Sequence, residues 1–188
     1  MSSWNQPSCQ GSDPIRLITK LYFSPQVRSR SSMLSQLDEL CRASEDRFAQ
    51  DAELEFLEEY VQSFNLRKEI YGKLRSNEKL LVQKVYARIL TQEPTLLKSA
   101  NQDLTAKWTA DTLRVLRYIS HAILMNDRET YRQRFLLWFQ TIMKAFGTQR
   151  SCRITYEVMT AVLEEFLTPP QYQITLPFLL LTQETLGD

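Results

Sequence analysis

No proline stands between Pro25 and Pro94, or between Pro94 and Pro169, and the whole 188-residue chain holds four glycines. Sheets reverse direction often and draw Gly and Pro into their turns. A chain that withholds both over such stretches, and is rich in Leu, Glu, Gln, Arg and Ala, is confined to long helices. The sequence therefore predicts an all-α fold.

Hydrophobic spacing places the helices. Met33, Leu34, Leu37, Leu40 and Cys41 recur at intervals of three and four, which predicts one short amphipathic helix. Asp46-Arg47-Phe48 breaks it. Asp51 is placed to cap a second helix whose inner face carries Leu54, Leu57, Tyr60, Val61 and Phe64. Leu66, Ile70 and Leu74 continue the pattern to a junction near Ser76-Asn77. Leu80, Leu81, Val85, Ile89 and Leu90 form the next helix, which Pro94 ends. Thr95 to Thr105 reads as a polar loop and 106–125 as a central helix, followed by a turn at Asn126-Asp127. Residues 131–146 are apolar on one side, through Phe135, Leu136, Trp138, Phe139, Ile142, Met143 and Phe146, with Gly147 as a left-handed stop. A helix over 151–167 buries Ile154, Val158, Ala161, Val162 and Phe166. Pro169-Pro170 breaks the chain before a last apolar helix or partly extended tail over 171–186. Seven or eight helices exceed a four-helix bundle and suit a globin-like layout.

A 22.1 kDa chain suits one domain and buries about 70% of its extended surface, enough for a core without disulfides or metal. Residues 1–31 differ from the rest, with three prolines, many serines and the basic Arg28-Ser-Arg30. They read as an N-terminal extension, flexible or partner-docking, with 15–23 apolar enough for one short element; the domain proper is 32–188. The polar start lacks a secretory core, so no signal peptide is expected, and no apolar run reaches the length of a membrane span. A net charge of +1 gives no general argument for nucleic acid or an anionic membrane. Cys9, Cys41 and Cys152 are too scattered for a disulfide framework. No phosphate-loop, dinucleotide, zinc-protease or nucleophile-elbow motif occurs. With one histidine, His121, and no metal spacing, neither a haem globin nor a nucleophilic triad fits, and no metal site or enzyme activity is expected. Glu55, Glu58, Glu59, Glu164 and Glu165 read as solvated helix faces.

The ordered motifs resemble a known family. Ala43-Ser-Glu-Asp-Arg47-Phe48 followed by Ala52-Glu53-Leu54 resembles the ADxxGRFLSxxEL motif of phycobiliproteins. Ala87 to Pro94 resembles the end of their helix B, Asp111 to Tyr118 their helix E motif RDxxYYLRY, Met125-Asn126-Asp127 their AGD turn, and Lys144 to Thr148 their xSLGTP turn. Gln171 to Leu186 occupies the place of their C-terminal helix. The resemblance covers roughly 32–188 and is to an allophycocyanin-like member of the phycobilisome family. It implies a globin-like fold of seven to eight helices with two extra N-terminal helices.

The departures bear on function. The family joins an open-chain tetrapyrrole through a thioether to a cysteine three residues before the helix E aspartate, and here that position is Trp108. An indole offers no thiol. The arginine that precedes the aspartate is replaced by Ala110. The loop that wraps the pigment is shorter and lacks its glycines, and Asp46 stands where the family has glycine. Asp111 persists, and in the family that acid pairs with the pyrrole nitrogens. Trp108 is expected to fill part of the space of a pigment ring, since a large aromatic buries about 150–250 Å².

Two functions follow from the resemblance. One is a non-enzymatic phycobilisome-like protein of the light-harvesting apparatus without covalent bilin, acting by contact in antenna or photosystem assembly, linkage or regulation. Its partners would be phycobilisome-family subunits or photosystem proteins, met as a homo- or heterodimer through the N-terminal helices (33–64). Its place would be cytoplasmic, peripheral at the thylakoid of a cyanobacterium. The other is a non-covalent bilin sensor, carrier or chaperone, with Asp111, Arg114, Arg117 and His121 lining one groove.

Overall fold

The structure, a computed structural model, describes residues 32–99 and 102–188. The expected extension 1–31, with its short element over 15–23, lies outside the described residues.

Helix α1 runs Met33–Ala43. The Ser32 hydroxyl accepts from the Ser35 amide at 3.2 Å and so satisfies one of the orphan donors of the first turn. Ser44 closes the helix by donating to the Leu40 carbonyl at 2.7 Å. The chain then turns through 44–50. Arg47 donates to both carboxylate oxygens of Glu53, at 2.8 and 2.7 Å, and Glu53 also accepts from the Gln50 amide at 2.7 Å. That carboxylate fixes the entry to helix α2, Asp51–Gln92. Gln50, not Asp51, is the capping residue, because Glu53 completes a capping box with it.

Helix α2 is continuous over 42 residues, about 63 Å, so the expected junction at Ser76-Asn77 is absent. Ser and Asn cost a helix only a few tenths of a kcal/mol each relative to Ala. Asn77 turns its amide back onto the Lys73 carbonyl at 2.9 Å, and the fully buried Leu74 and Leu81 hold the turns on either side. Packing outweighs the weak local signal.

After Pro94 the expected loop contains a small antiparallel hairpin, β1 (Lys98–Ser99) against β2 (Gln102–Asp103), with Lys98 opposite Asp103. Helix α3 is Thr105–Met125, ended by Asn126 in the left-handed conformation at φ 52°. Asp127 caps the short α4, Arg128–Tyr131. A π-helical turn over Arg132–Leu136 leads into α5, Leu137–Ala145. This divides the single helix expected over 131–146. The π turn holds more residues per turn than an α-helix. Tyr131, Phe135, Leu136 and Phe139 all face inward across it, while Trp138 and Phe146 face solvent, contrary to the sequence reading.

Gly147 takes φ 63°, as expected for a left-handed stop. Helix α6 runs Gln149–Phe166 and α7 runs Pro169–Gly187. Pro169 and Pro170 begin α7 rather than interrupt the fold, because a first-turn residue needs no amide donor. The core lies where the second half of α2 meets α3, α6 and α7, and includes Ile70, Val85, Ile119, Leu136, Leu163 and Ile174. Of the residues expected inside α6, Val158 and Val162 are buried, Ile154 and Phe166 are half-buried, and Ala161 is exposed.

Two arginines close helix ends. The fully buried Arg67 donates to the Leu124 carbonyl at the end of α3, to the Tyr60 carbonyl at 2.6 Å and to the Ser63 hydroxyl at 3.2 Å, with its guanidinium over the Tyr60 ring. Arg153 donates to the Gly187 carbonyl at 2.9 Å. Both set a positive charge against the carbonyl end of a helix.

None of residues 33–66 is buried, and Arg67 is the first residue of α2 that is. Val61 and Phe64, expected on an inner face, are exposed at 69% and 39%. The α1 helix and the first turns of α2 form an arm outside the core.

Candidate functional site

Trp108 sits one turn into α3 and is 9% exposed. Its indole N–H donates to the Thr155 hydroxyl of α6 at 2.9 Å, and its ring meets Tyr86 of α2 with centroids 5.8 Å apart. The indole therefore joins three helices. The sequence offered no sign of Thr155 as its partner, since 47 residues separate them.

The four residues expected around one groove are not brought into one. Arg117 and His121, with Ser120, line a cleft between α3 and α2. Asp111 and Arg114 lie outside that cleft and pair with each other.

The Asp111 side chain is 23% exposed and meets Arg114 at a long 3.5 Å. Its charge reaches Cys152 and Tyr156 of α6. Burial pushes the Cys152 thiol up to about 11, opposed in part by the Thr148 hydroxyl, with a lesser upward push from Asp111. A thiol so held is mostly protonated at neutral pH and a weak nucleophile. Burial likewise pushes the Tyr156 phenol well above its ordinary range. Tyr118 stacks on Phe135 at 3.8 Å, and Phe135 stacks on Phe139 at 5.4 Å. Trp138 adjoins both, with centroids 6.3 Å from Phe135 and 6.1 Å from Phe139. Of these rings Phe135 and Phe139 are buried, while Tyr118 and Trp138 reach solvent.

In the cleft Arg117 is occupied. It donates to both oxygens of Glu78 on α2, each at 2.7 Å. That donation holds the Glu78 carboxyl below the usual carboxylate range. His121 Nδ1 lies 2.6 Å from the Arg117 carbonyl, and its ring meets Tyr71 edge-on at 5.4 Å. Tyr71, Leu74, Arg75 and Glu78 of α2 face these residues across a cleft of about 220 Å³. Glu78, Tyr71 and Arg75 were not singled out from the sequence, where nothing local ties them to α3. Among the described residues no cluster of His, Cys, Asp or Glu could hold a metal ion, and no helix is long and apolar enough to cross a membrane.

Comparison with known proteins fits this architecture. The family model described as Phycobilisome protein matches residues 42–183, from the end of α1 into α7. The R-phycocyanin-1 beta chain of Porphyridium purpureum is 28% identical over 108 residues, 55% of this chain and 63% of its own length. The C-phycocyanin beta chain of Pyropia haitanensis is 27% identical over the same extent. The aligned stretch thus spans just under two thirds of these relatives. Their alignment and the family match agree with the all-α, globin-like layout that the ordered motifs implied. The chain belongs to the phycobilisome protein family.

Proposed function

We propose that the protein serves the photosynthetic light-harvesting apparatus as a non-enzymatic component without thioether-linked bilin, acting by protein–protein contact in antenna or photosystem assembly, linkage or regulation. The observation that carries this reading is the arm: none of residues 33–66 is buried, and Leu34, Phe48, Val61 and Phe64 stand in solvent along it. Large apolar side chains left open along an arm outside the core favour an interaction site there. Phycobilisome-family subunits or photosystem proteins are the partners, met through 33–64 in a homo- or heterodimer. The place of action is the cytoplasmic face of the thylakoid in a cyanobacterium. Residues 1–31 form an extension to a domain over 32–188.

The absence of a thioether is supported by α3 itself, which contains no cysteine, and by the indole of Trp108 packed between Tyr86 and Thr155. Purified from a bilin-producing host, the protein is expected to show no visible absorption band and no zinc-induced fluorescence on a denaturing gel. A band that survives denaturation sinks the reading. Affinity purification from the native cell, with and without residues 1–31, should recover antenna or photosystem subunits; recovering neither counts against contact as the function.

A second reading is non-covalent binding of a bilin or related tetrapyrrole. It is favoured by the partly shielded Asp111, whose Arg114 contact is long, and by the solvent-open Tyr118 and Trp138. In this version Asp111 and Arg114 meet the ligand, and Arg117 and His121 belong to the cleft between α3 and α2. A visible band lost on extraction, without zinc fluorescence, identifies it.

A further inference from the structure

The arm presents apolar side chains that no described residue covers. Leu34, Leu37 and Cys41 follow one another on α1 at spacings of three and four, and all three are exposed. Phe48 in the turn is 98% exposed, and Val61 on α2 is 69% exposed. Acids stand among them. Residues 33–64 carry nine carboxylates against two arginines, Arg42 and Arg47. Both arginines are held by acids of the same segment, Asp38 and Glu53. Asp51, Glu55 and Glu58 form an exposed strip of α2 at spacings of four and three, and among the described residues no cation pairs with them.

The first 31 residues carry the complement. They hold Arg16, Lys20, Arg28 and Arg30 against one acid, Asp13. Between Pro14 and Pro25 the residues recur at helical spacing. Ile15, Ile18 and Tyr22 follow at three and four, Leu17 and Leu21 stand four apart, and so do Arg16 and Lys20. This is an apolar side and a cationic side in one short stretch. Eight residues, 24–31, join it to Ser32, the cap of α1. Fully extended, they span at most about 26–29 Å. That reach exceeds the length of α1, about 16 Å, and matches the length of α2 up to residue 66, about 24 Å.

We propose that residues 15–23 fold back on the arm of the same chain, with the apolar side on its open apolar side chains and Arg16 and Lys20 toward the acidic strip of α2. The inference rests on the contact reading above, because it makes the extension a built-in competitor of any partner that takes 33–64. The tether decides between occupants. It holds the segment beside the arm at an effective concentration on the order of millimolar, so contact that is weak residue by residue suffices. Burial of apolar surface supplies the attraction, and the opposed charges set the register.

The test is amide hydrogen exchange in the full chain, read over α1, where no substitution falls. With the segment seated, α1 is protected, and about tenfold dilution leaves that protection unchanged, since a tethered contact does not depend on concentration. Arg16→Glu/Lys20→Glu should speed exchange by about threefold or more, and Glu55→Lys/Glu58→Lys likewise, with far-UV circular dichroism unchanged in both. All four substitutions in one chain should restore the wild-type rates, because the signs again oppose. The proposal is overturned if reversal on the extension leaves exchange unchanged, or if the fourfold variant exchanges as fast as either pair alone. Protection that falls on dilution also overturns it and assigns the arm to a second copy. Affinity purification from native cells separates this inference from the contact reading. The reversed extension should recover more antenna or photosystem subunits than the wild type. If it uncovers the arm and recovers none, the cover stands and the contact reading falls. Unchanged exchange in a chain that does recover those subunits removes the cover alone.

Discussion

Trp108→Ala tests whether the indole holds the three helices together. At 9% exposure nearly the whole side chain is withdrawn from water. Removing a buried aromatic of this size costs about 3–5 kcal/mol, transfer and cavity terms together. The bond from the indole N–H to Thr155, at 2.9 Å with Thr155 only 2% exposed, accounts for about 1 kcal/mol of this. For a chain of this size the loss corresponds to a drop in Tm of about 6–20 °C. A cycle isolates the hydrogen bond. Trp108→Phe keeps a ring but leaves the Thr155 hydroxyl without its partner, and Thr155→Val leaves the indole N–H buried and unpaired. Each single change should cost about 1–2 kcal/mol, and the double variant should cost about 1 kcal/mol less than their sum. Guanidinium unfolding followed by far-UV circular dichroism is the suitable assay, since the substitutions alter tryptophan fluorescence. Additive costs within about 0.3 kcal/mol, or a Trp108→Ala loss under about 1 kcal/mol, would refute the claim that this residue packs and bonds as described.

Arg67→Ala should cost about 2 kcal/mol or more in the same assay, because it leaves the end of α3 without its buried donor and opens a void beneath Tyr60. Gly147→Ala should cost about 1–2 kcal/mol although nothing lies within 4 Å of the added methyl, since the whole penalty is the left-handed backbone at φ 63°. Acid should weaken the fold through Glu53 and Glu78. Donation from Arg47 lowers the Glu53 carboxyl from 4.5 to about 2, and donation from Arg117 lowers Glu78. Their contribution is therefore full above pH 4.5 and is lost as pH falls toward 2, and a Glu53→Gln/Glu78→Gln variant should show a flatter Tm-against-pH curve over that window. Equal acid sensitivity of the variant and the wild type argues against both ion pairs as contributors.

Much of the helical order is readable along the chain because its punctuation is local. Gly147 stops a helix through its own backbone freedom, and α3 begins within one residue of the expected position. The misreadings have another origin. Ser76-Asn77 looks like a break only when the buried Leu74 and Leu81 are out of view. Val61 and Phe64 recur at helical spacing, but periodicity cannot tell a face turned to the core from one held open. Trp138 and Phe146 recur at the spacing of the buried Phe135, Phe139 and Met143, but Phe146 stands at the C-terminal cap of α5 and Trp138 on its open side, which periodicity alone does not reveal. At the candidate site, Asp111, Arg114, Arg117 and His121 share a helix and therefore look like one group. Their division depends on which neighbouring helix claims each one, and Glu78 claims Arg117 from 39 residues away.

The unbroken α2 helix has a mechanical consequence. Its first turns carry exposed apolar residues of the arm, and its later turns carry Glu78 against Arg117 and Tyr86 against Trp108. No hinge interrupts the rod between them, so the arm cannot swing without breaking backbone hydrogen bonds or moving the helix as a lever. A partner that grips the arm meets a surface already set in shape and forgoes little entropy in ordering it. The same grip pulls on the far end of the rod, where α2 meets the two sides of α3.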